Sequence, residues 1–214
     1  FMNNHNNYIV SMSNVCRWLA SEAEKLGVEI FPGMSCSEIV YGSNGEVHGV
    51  VAGEFGLSKE GKTGNNYEPG MELLAKYTLF SEGVRGSLSK KLIRKFNLDD
   101  ECEPQKYGIG IKEVWDIDPT KHNIGEVMHS MGWPLGKNAG GGSFLYHAEN
   151  SQIYIGFVTH LNYKNPYISP YMEFQRFKHH PTVKNILIGG KRVAYGARAI
   201  SEGGFQSIPK LTFP

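Results

Sequence analysis

Two glycine-containing stretches carry the residue types and spacing that could bind a flat or phosphorylated ligand. The first, residues 77–88, is predicted to be a short apolar strand, a turn at Glu82-Gly83 and the start of a helix. Ligands of open α/β sheets bind beyond the carboxyl ends of strands, glycine admits a close backbone approach, and a helix N-terminus favours phosphate. An ordinary strand-to-helix turn would use the same residues, so both interpretations stay open.

The second stretch is Gly140-Gly141-Gly142, which precedes an apolar strand predicted over residues 143–147. The glycines could mark a bulge or a loop. They could also form a floor under a flat ligand, with backbone N–H groups donating to its carbonyl oxygen. The turn at Gly203-Gly204-Phe205 offers a similar surface. Residues 131–135, which include Met131, Trp133, Pro134 and Leu135, could supply an apolar wall or belong to a core strand.

Other kinds of catalytic chemistry find little support in the sequence. It contains no G-x-S-x-G motif and no P-loop, and Gly108-x-Gly110 lacks the third glycine of a dinucleotide fingerprint. His179-His180 is interpreted as a surface pair at a helix end, because adjacent side chains rarely converge on one metal ion. The basic residues within 90–95 are interpreted as a solvated helix face.

Composition limits the partners and the compartment. The 214 residues carry a net charge of +1, which creates no strong attraction to nucleic acid or anionic lipid. Cys16, Cys36 and Cys102 are dispersed and odd in number, which indicates reduced thiols in a reducing compartment. No run of about 18 apolar residues is present, and no signal peptide is found. Neither the start at Phe1 nor the end at Pro214 resembles a natural chain terminus, so we expect the sequence to be a fragment of a longer protein.

The elements that must position these residues change in character along the chain. Ser13 is predicted to cap a helix over residues 14–26 that ends at Gly27 and leads into a strand at 28–31. Asn44-Gly45 predicts a hairpin between residues 37–41 and 47–52. An exposed excursion at 53–70 follows, and then a strand at 71–81 and an amphipathic helix at 87–96.

The second half is predicted to consist mainly of strands. These are expected at 109–115, 126–129, 143–147, 153–158 and 191–197, with helices at 171–178 and 182–188. The predicted fold class is α+β, with a mostly antiparallel sheet that has helices on one side, attached to a partial α/β layer.

Several segments resemble known flavoproteins. Residues 3–41 and 71–86 resemble the FAD domain of a family that includes aromatic hydroxylases and geranylgeranyl reductases. Longer motifs resemble electron transfer flavoprotein–ubiquinone oxidoreductase; they lie at residues 7–11, 102–110, 141–147, 173–181 and 194–214. This resemblance extends over essentially the whole chain.

The resemblance implies one FAD, one four-iron (4Fe-4S) cluster and a ubiquinone site in the full enzyme. That enzyme takes electrons from reduced electron transfer flavoprotein and passes them to ubiquinone at the mitochondrial inner membrane or the bacterial cytoplasmic membrane. By this resemblance, residues 1–36 and 71–100 are part of the FAD domain, 37–70 and 101–200 form the ubiquinone-binding α+β domain, and 201–214 return toward the FAD domain. The cluster domain is outside this chain, whose three dispersed thiols cannot ligate four irons.

Site residues are also implied by the resemblance. Gly141 and Gly142 match the glycine pair that contacts the quinone. Glu82 and Gly83 match the acidic-Gly turn near the FAD, and Ser35 and Cys36 lie where the backbone meets the adenine. The resemblance implies no acid–base pair of side chains, and we expect the isolated chain to be inactive and to bind FAD poorly.

Two alternatives remain open. The chain could come from a related FAD-dependent hydroxylase or geranylgeranyl reductase. It could instead be a stand-alone α+β module that binds a flat apolar ligand without redox chemistry, and the absence of a dinucleotide motif is the observation in its favour.

Overall fold

The structure, a computed structural model, describes residues 6–212. Predictions that concern residues 1–5 and 213–214 lie outside this range. The four α-helices of the described chain are α1 (Met12–Lys25), α2 (Ser87–Phe96), α3 (Pro170–Lys178) and α4 (Pro181–Leu187). Its strands are β1 (Cys36–Tyr41), β2 (Val47–Ala52), β3 (Phe55–Leu57), β4 (Thr63–Glu68), β5 (Met71–Leu74), β6 (Tyr107–Asp116), β7 (Val127–Met131), β8 (Gly141–His147), β9 (Gln152–His160) and β10 (Lys191–Ser201).

The chain divides into two compact units. Residues 6–21 and 103–207 form one unit, which we call the five-stranded unit after its sheet. Residues 22–102 and 208–212 form the other, which we call the three-stranded unit. The division into FAD-binding and ubiquinone-binding domains that we expect from the sequence stays a prediction.

The five-stranded sheet is antiparallel throughout, in the order β10-β6-β9-β8-β7. Alternation along β9 explains its two faces, because side chains of a strand point alternately to opposite sides. Ile153, Ile155 and Phe157 are fully buried, whereas Tyr154 and Val158 on the opposite face are only half-buried. The predicted hairpin of 143–147 with 153–158 is confirmed, and both of its strands are longer than predicted.

Helices α3 and α4 cover the face that carries Ile155 and Phe157, which we call the packed face. Ser169 caps α3 by accepting a hydrogen bond from the Met172 amide at 3.4 Å, and prolines open both helices. Phe174 lies 6.4 Å from Phe157 between ring centroids. We call the opposite side of the sheet the open face, and the candidate site lies mainly on that side.

The three-stranded unit contains the sheet β1-β2-β5 and helix α2. The predicted Asn-Gly hairpin is confirmed: β1 and β2 pair, and Gly45 adopts a positive φ of 86°. Leu88 and Leu92 form the buried stripe of α2, as its amphipathic pattern predicts. The excursion at 53–70 is exposed as predicted, but it contains the hairpin β3-β4.

Several predicted boundaries are wrong. Helix α1 begins at Met12, so Ser13 lies inside it rather than capping it. The predicted strand at 28–31 does not form, and the strand predicted to reach Ser81 ends at Leu74. An apolar segment becomes a strand only where a neighbour satisfies its backbone, and no described strand pairs with either segment. The glycines 141 and 142 lie inside β8 rather than before it.

The α+β class and the antiparallel pairing are confirmed. The partial α/β FAD layer stays a prediction. Over the described residues, we find no helix whose length and apolar character would let it cross a membrane.

Candidate functional site

A cavity of about 390 Å³ lies mainly on the open face of the five-stranded sheet. Strands β7, β8 and β9 supply its lining, which is mostly apolar and aromatic; the lining residues include His129, Met131, Gly142, Phe144, Tyr146, Val158 and His160. Gly141, which is also predicted to contact quinone, borders the same cavity. The structure therefore brings both members of the predicted glycine pair to this cavity.

Both glycines are required by the sheet itself. A Cβ atom on Gly142 would lie 2.5 Å from the carbonyl oxygen of Ser130 on β7. A Cβ atom on Gly141 would lie 2.2 Å from the carbonyl oxygen of Val158 on β9, and the φ of Gly141 is 153°. No side chain fits at these distances, so neighbouring backbone approaches both residues closely.

The backbone around the glycines is already hydrogen-bonded. The Gly132 amide donates to the Gly141 carbonyl at 3.2 Å, and the His160 amide donates to the Gly140 carbonyl at 3.0 Å. Gly142 pairs with Met131 on one side and with Val158 on the other. A ligand on this face would therefore meet the bare Cα surface of Gly142 rather than a row of free N–H groups.

Aromatic side chains line the cavity beside the glycines. The rings of Phe144 and Tyr146 lie 5.0 Å apart between centroids, and the Tyr146 hydroxyl is 2.9 Å from His129 Nε2. This arrangement gives an apolar surface with a few polar groups at its edge, which is typical of small-molecule sites.

The predicted apolar wall at residues 131–135 is divided. Met131 lines the cavity, but Leu135 is buried in the core of the packed face. Trp133 packs its ring against His180, with centroids 5.3 Å apart. The turn at Gly203-Gly204-Phe205 does not line the cavity.

Glu82 caps helix α2. Its carboxylate accepts hydrogen bonds from the Ser89 amide at 2.6 Å, the Ser89 hydroxyl at 2.7 Å and the Leu88 amide at 3.2 Å. Partial burial alone would raise the pKa of Glu82, but these hydrogen bonds outweigh it and hold the pKa below its ordinary value. Gly86 makes room, because a Cβ there would lie 2.4 Å from the Glu82 Cβ.

The residues predicted to meet FAD all belong to the three-stranded unit. Gly83 has a φ of 78° and open space where a Cβ would stand, so its backbone is accessible. Cys36 is exposed at the start of β1, and the Ser35 carbonyl accepts from the Gly53 amide at 3.0 Å. The role of Gly83, Ser35 and Cys36 toward FAD stays a prediction, and the amides of Leu88 and Ser89 in the first turn of α2 already donate to Glu82.

Metal ligands are not gathered in the part of the chain that the structure describes: no three His, Cys, Asp or Glu side chains there could hold one ion. The three cysteines are free.

Sequence reasoning missed most of the cavity lining. The sequence analysis places Phe144, Tyr146 and Val158 only as parts of strands, and His160 lies beyond the strand predicted over 153–158. The alternation of side chains along a strand could have located this lining, because residues 142, 144 and 146 of β8 lie on the same face. The register of β8 with β9 then places residue 158 beside residue 142.

Comparison with solved structures shows the fold. The chain is similar to a flavin-dependent brominase with a TM-score of 0.58 at 10% identity, over 92% of this chain and 45% of that one. It is similar to a flavoprotein/dehydrogenase from Cytophaga hutchinsonii with a TM-score of 0.53 at 15% identity, over 94% of this chain and 45% of that one. The chain thus shares the fold of part of two flavoproteins.

Sequence comparisons then point to one family. Residues 107–200 match the family model described as ETF-QO, ubiquinone-binding. Over its whole length the chain is 58% identical to electron transfer flavoprotein-ubiquinone oxidoreductase of Pseudomonas aeruginosa and 51% identical to the human protein of that name, which is called mitochondrial. It spans 39% and 35% of those relatives, respectively. The resemblance to the electron transfer flavoprotein–ubiquinone oxidoreductase family is confirmed, and this chain corresponds to a part of its members.

Proposed function

We propose that this chain supplies the quinone-binding region, and part of the FAD-binding region, of an enzyme that passes electrons from reduced electron transfer flavoprotein to ubiquinone. The observation that carries the proposal is the cavity with Gly141 and Gly142 at its border. It lies in the segment that matches the ubiquinone-binding family model.

The quinone ring lies flat on the open face in this proposal. Gly142 has no side chain, so the ring can approach the strand backbone, while Phe144 and Val158 contact its edges. Polar contacts to the quinone oxygens come from the rim, where His129, Tyr146 and His160 border the cavity. The remaining volume accommodates the ring substituents.

The cofactors belong to the full-length protein. FAD supplies the electron-transfer chemistry when bound, and the backbone at Gly83, Ser35 and Cys36 would hold its nucleotide part. Glu82 fixes the start of α2 and so positions the Gly83 backbone. The 4Fe-4S cluster takes its ligands from outside residues 6–212. In the same proposal, residues 1–36 and 71–100 serve FAD, 37–70 and 101–200 serve ubiquinone, and 201–214 return toward the FAD domain.

The proposed setting is a membrane surface, because the long isoprenoid tail of ubiquinone resides in lipid. The relatives named as mitochondrial and the similar Pseudomonas aeruginosa protein support either the mitochondrial inner membrane or a bacterial cytoplasmic membrane.

The test uses the full-length protein that contains this chain. We expect a visible flavin spectrum and the reduction of a short-chain ubiquinone when reduced electron transfer flavoprotein is supplied. Bound flavin with oxidation of a nicotinamide cofactor and no quinone reduction would favour a hydroxylase or reductase. A colourless protein that still binds quinone would favour a binding module without redox chemistry.

A further inference from the structure

His160 and Glu202 form a polar pair on the open face beside the glycine-bordered cavity. The Nε2 atom of His160 lies 3.5 Å from a carboxylate oxygen of Glu202. The His160 side chain is 46% exposed and the Glu202 side chain 19% exposed. The imidazole lies at the end of β9, and the carboxylate lies just after β10, two strands away in the sheet.

Two glycines give these side chains room to lie along the sheet. A Cβ atom on Gly108 of β6 would stand 2.3 Å from a carboxylate oxygen of Glu202. A Cβ atom on Gly140, next to β8, would stand 2.7 Å from His160 Nδ1. The imidazole therefore has one nitrogen beside the glycine run and the other beside the carboxylate.

His160 also borders a second cavity, of about 220 Å³. That cavity is lined by Lys106, Tyr107, His160, Asn162 and Glu202, so polar and titratable groups face the imidazole there. The first cavity, in contrast, is lined largely by apolar and aromatic groups. His160 thus lines both a polar pocket that holds a carboxylate and the apolar pocket proposed for the quinone ring.

We propose that His160 is a catalytic residue that donates a proton to ubiquinone, and that Glu202 is the positioning residue that returns a proton to His160 from the outer cavity. This inference rests on the proposed function, because it assumes quinone in the first cavity. Histidine suits the role, since its two nitrogens can give and take a proton on opposite sides of the ring.

Reduction of quinone to quinol takes two electrons and two protons, and the reduced flavin of the full-length protein supplies the electrons. The proton on His160 Nδ1 moves to the nearer quinone oxygen and forms its O–H bond. In the same step Glu202 passes a proton from the outer cavity to Nε2, so the ring stays neutral and is left as its Nε2–H tautomer. Proton exchange with water then restores the Nδ1–H form, and the second quinone oxygen is protonated from water at the open mouth of the first cavity.

The test compares His160→Gln and Glu202→Gln in the full-length protein, with two acceptors. Short-chain ubiquinone needs protons, whereas ferricenium takes one electron and no proton. We expect ubiquinone reduction to fall by about 10²-fold in His160→Gln, the lower end for general acid catalysis, and less in Glu202→Gln. We expect the ferricenium rate to be unchanged, and the pH dependence of ubiquinone reduction to flatten in both variants.

A matched control is His48→Gln, because His48 pairs with Glu46 at 3.0 Å on an exposed hairpin that lines neither cavity. It should keep the rates and the pH profile of the unaltered protein. Equal losses with both acceptors, or an unchanged pH profile in His160→Gln and Glu202→Gln, would overturn this inference while leaving the proposed function in place. Failure of the unaltered protein to reduce ubiquinone would overturn the proposed function itself.

Discussion

Lys178 of α3 holds the buried carboxylate of Glu113 on β6, with its ammonium nitrogen 2.8 Å from one oxygen and 3.0 Å from the other. Glu113 is only 2% exposed, and it also accepts from the Trp115 indole at 2.8 Å and from Arg192 at 3.3 Å. A buried carboxylate needs such partners, because removing one leaves charge uncompensated. The pair therefore fixes how α3 docks on the packed face of the sheet.

The first prediction concerns this pair. Lys178→Met should lower the free energy of unfolding by about 3 kcal/mol, because it leaves the buried carboxylate of Glu113 without its closest positive charge. Arg192→Met should cost less, since Arg192 is substantially exposed. The double variant Glu113→Leu/Lys178→Met should recover much of the loss. Urea denaturation of the full-length protein measures all three, and an unchanged midpoint for Lys178→Met would contradict the role assigned to the pair.

The second prediction concerns His147 at the end of β8. Its Nδ1 accepts a hydrogen bond from the Asn123 amide at 3.0 Å, which requires a neutral ring. Burial lowers the pKa of His147; Glu126 opposes this shift and His122 adds to it. The folded protein thus binds a proton at His147 less readily than the unfolded chain, in which the histidine pKa is about 6.5. The contribution of His147 to the free energy of unfolding is therefore present above about pH 6.5 and is lost as the pH falls below it.

Melting temperatures recorded across this range give the test. The unaltered protein should melt at lower temperature as the pH falls below about 6.5, and His147→Gln should weaken that dependence. His180→Gln serves as the control, because His180 is exposed and should leave the pH dependence as it was. An identical slope in His147→Gln and the unaltered protein would rule out the assignment.

The third prediction concerns the cap that Glu82 provides for α2. Glu82→Ala should destabilise the start of this helix by about 1 kcal/mol, the usual value of a lost cap. Because hydrogen bonds hold the Glu82 pKa below its ordinary value, its contribution is present above the unfolded pKa of about 4.3 and is lost as the pH falls. Hydrogen exchange at the Leu88 and Ser89 amides should speed up, whereas Glu101→Ala, at an exposed ion pair, should leave those amides protected. Equal protection in both variants would refute the cap.

The fourth prediction is that replacing a paired glycine destabilises the sheet whether or not a ligand is bound. Gly142→Ala places a methyl group against the Ser130 carbonyl and should cost about 1–3 kcal/mol. Gly196→Ala on β10 is the matched control, because nothing lies within 4 Å of its Cβ position. Thermal melts distinguish them, and a fully stable Gly142→Ala would show that the strands can separate there at little cost.

The sequence predicted local features well where the cause was local. The Asn44-Gly45 turn and the amphipathic helix at Ser87 depend on nearby residues, and both are found. The segments at 28–31 and 75–81 were predicted as strands from their apolar character alone. They failed because a strand depends on a partner that local sequence does not reveal.

The same dependence on local sequence explains why only part of the candidate site was predicted. Gly141 and Gly142 are adjacent in sequence, so their pattern was visible. The approach of His160 to Glu202 depends on the order β10-β6-β9-β8, which joins residues far apart in the chain. Non-local sheet topology therefore decides which polar groups reach the cavity.

The most direct test of quinone binding at this cavity is the Michaelis constant for short-chain ubiquinone in full-length Val158→Phe. Val158 lies between Gly110 and Gly142 on the neighbouring strands and lines the cavity, so the larger side chain of phenylalanine at this position takes up space in the cavity. Ala194→Phe is the control, because Ala194 is exposed on β10 and does not line the cavity. We expect KM for ubiquinone to rise at least about tenfold, or about 1.4 kcal/mol, in Val158→Phe only. An unchanged KM in a folded, flavin-loaded Val158→Phe would contradict the account.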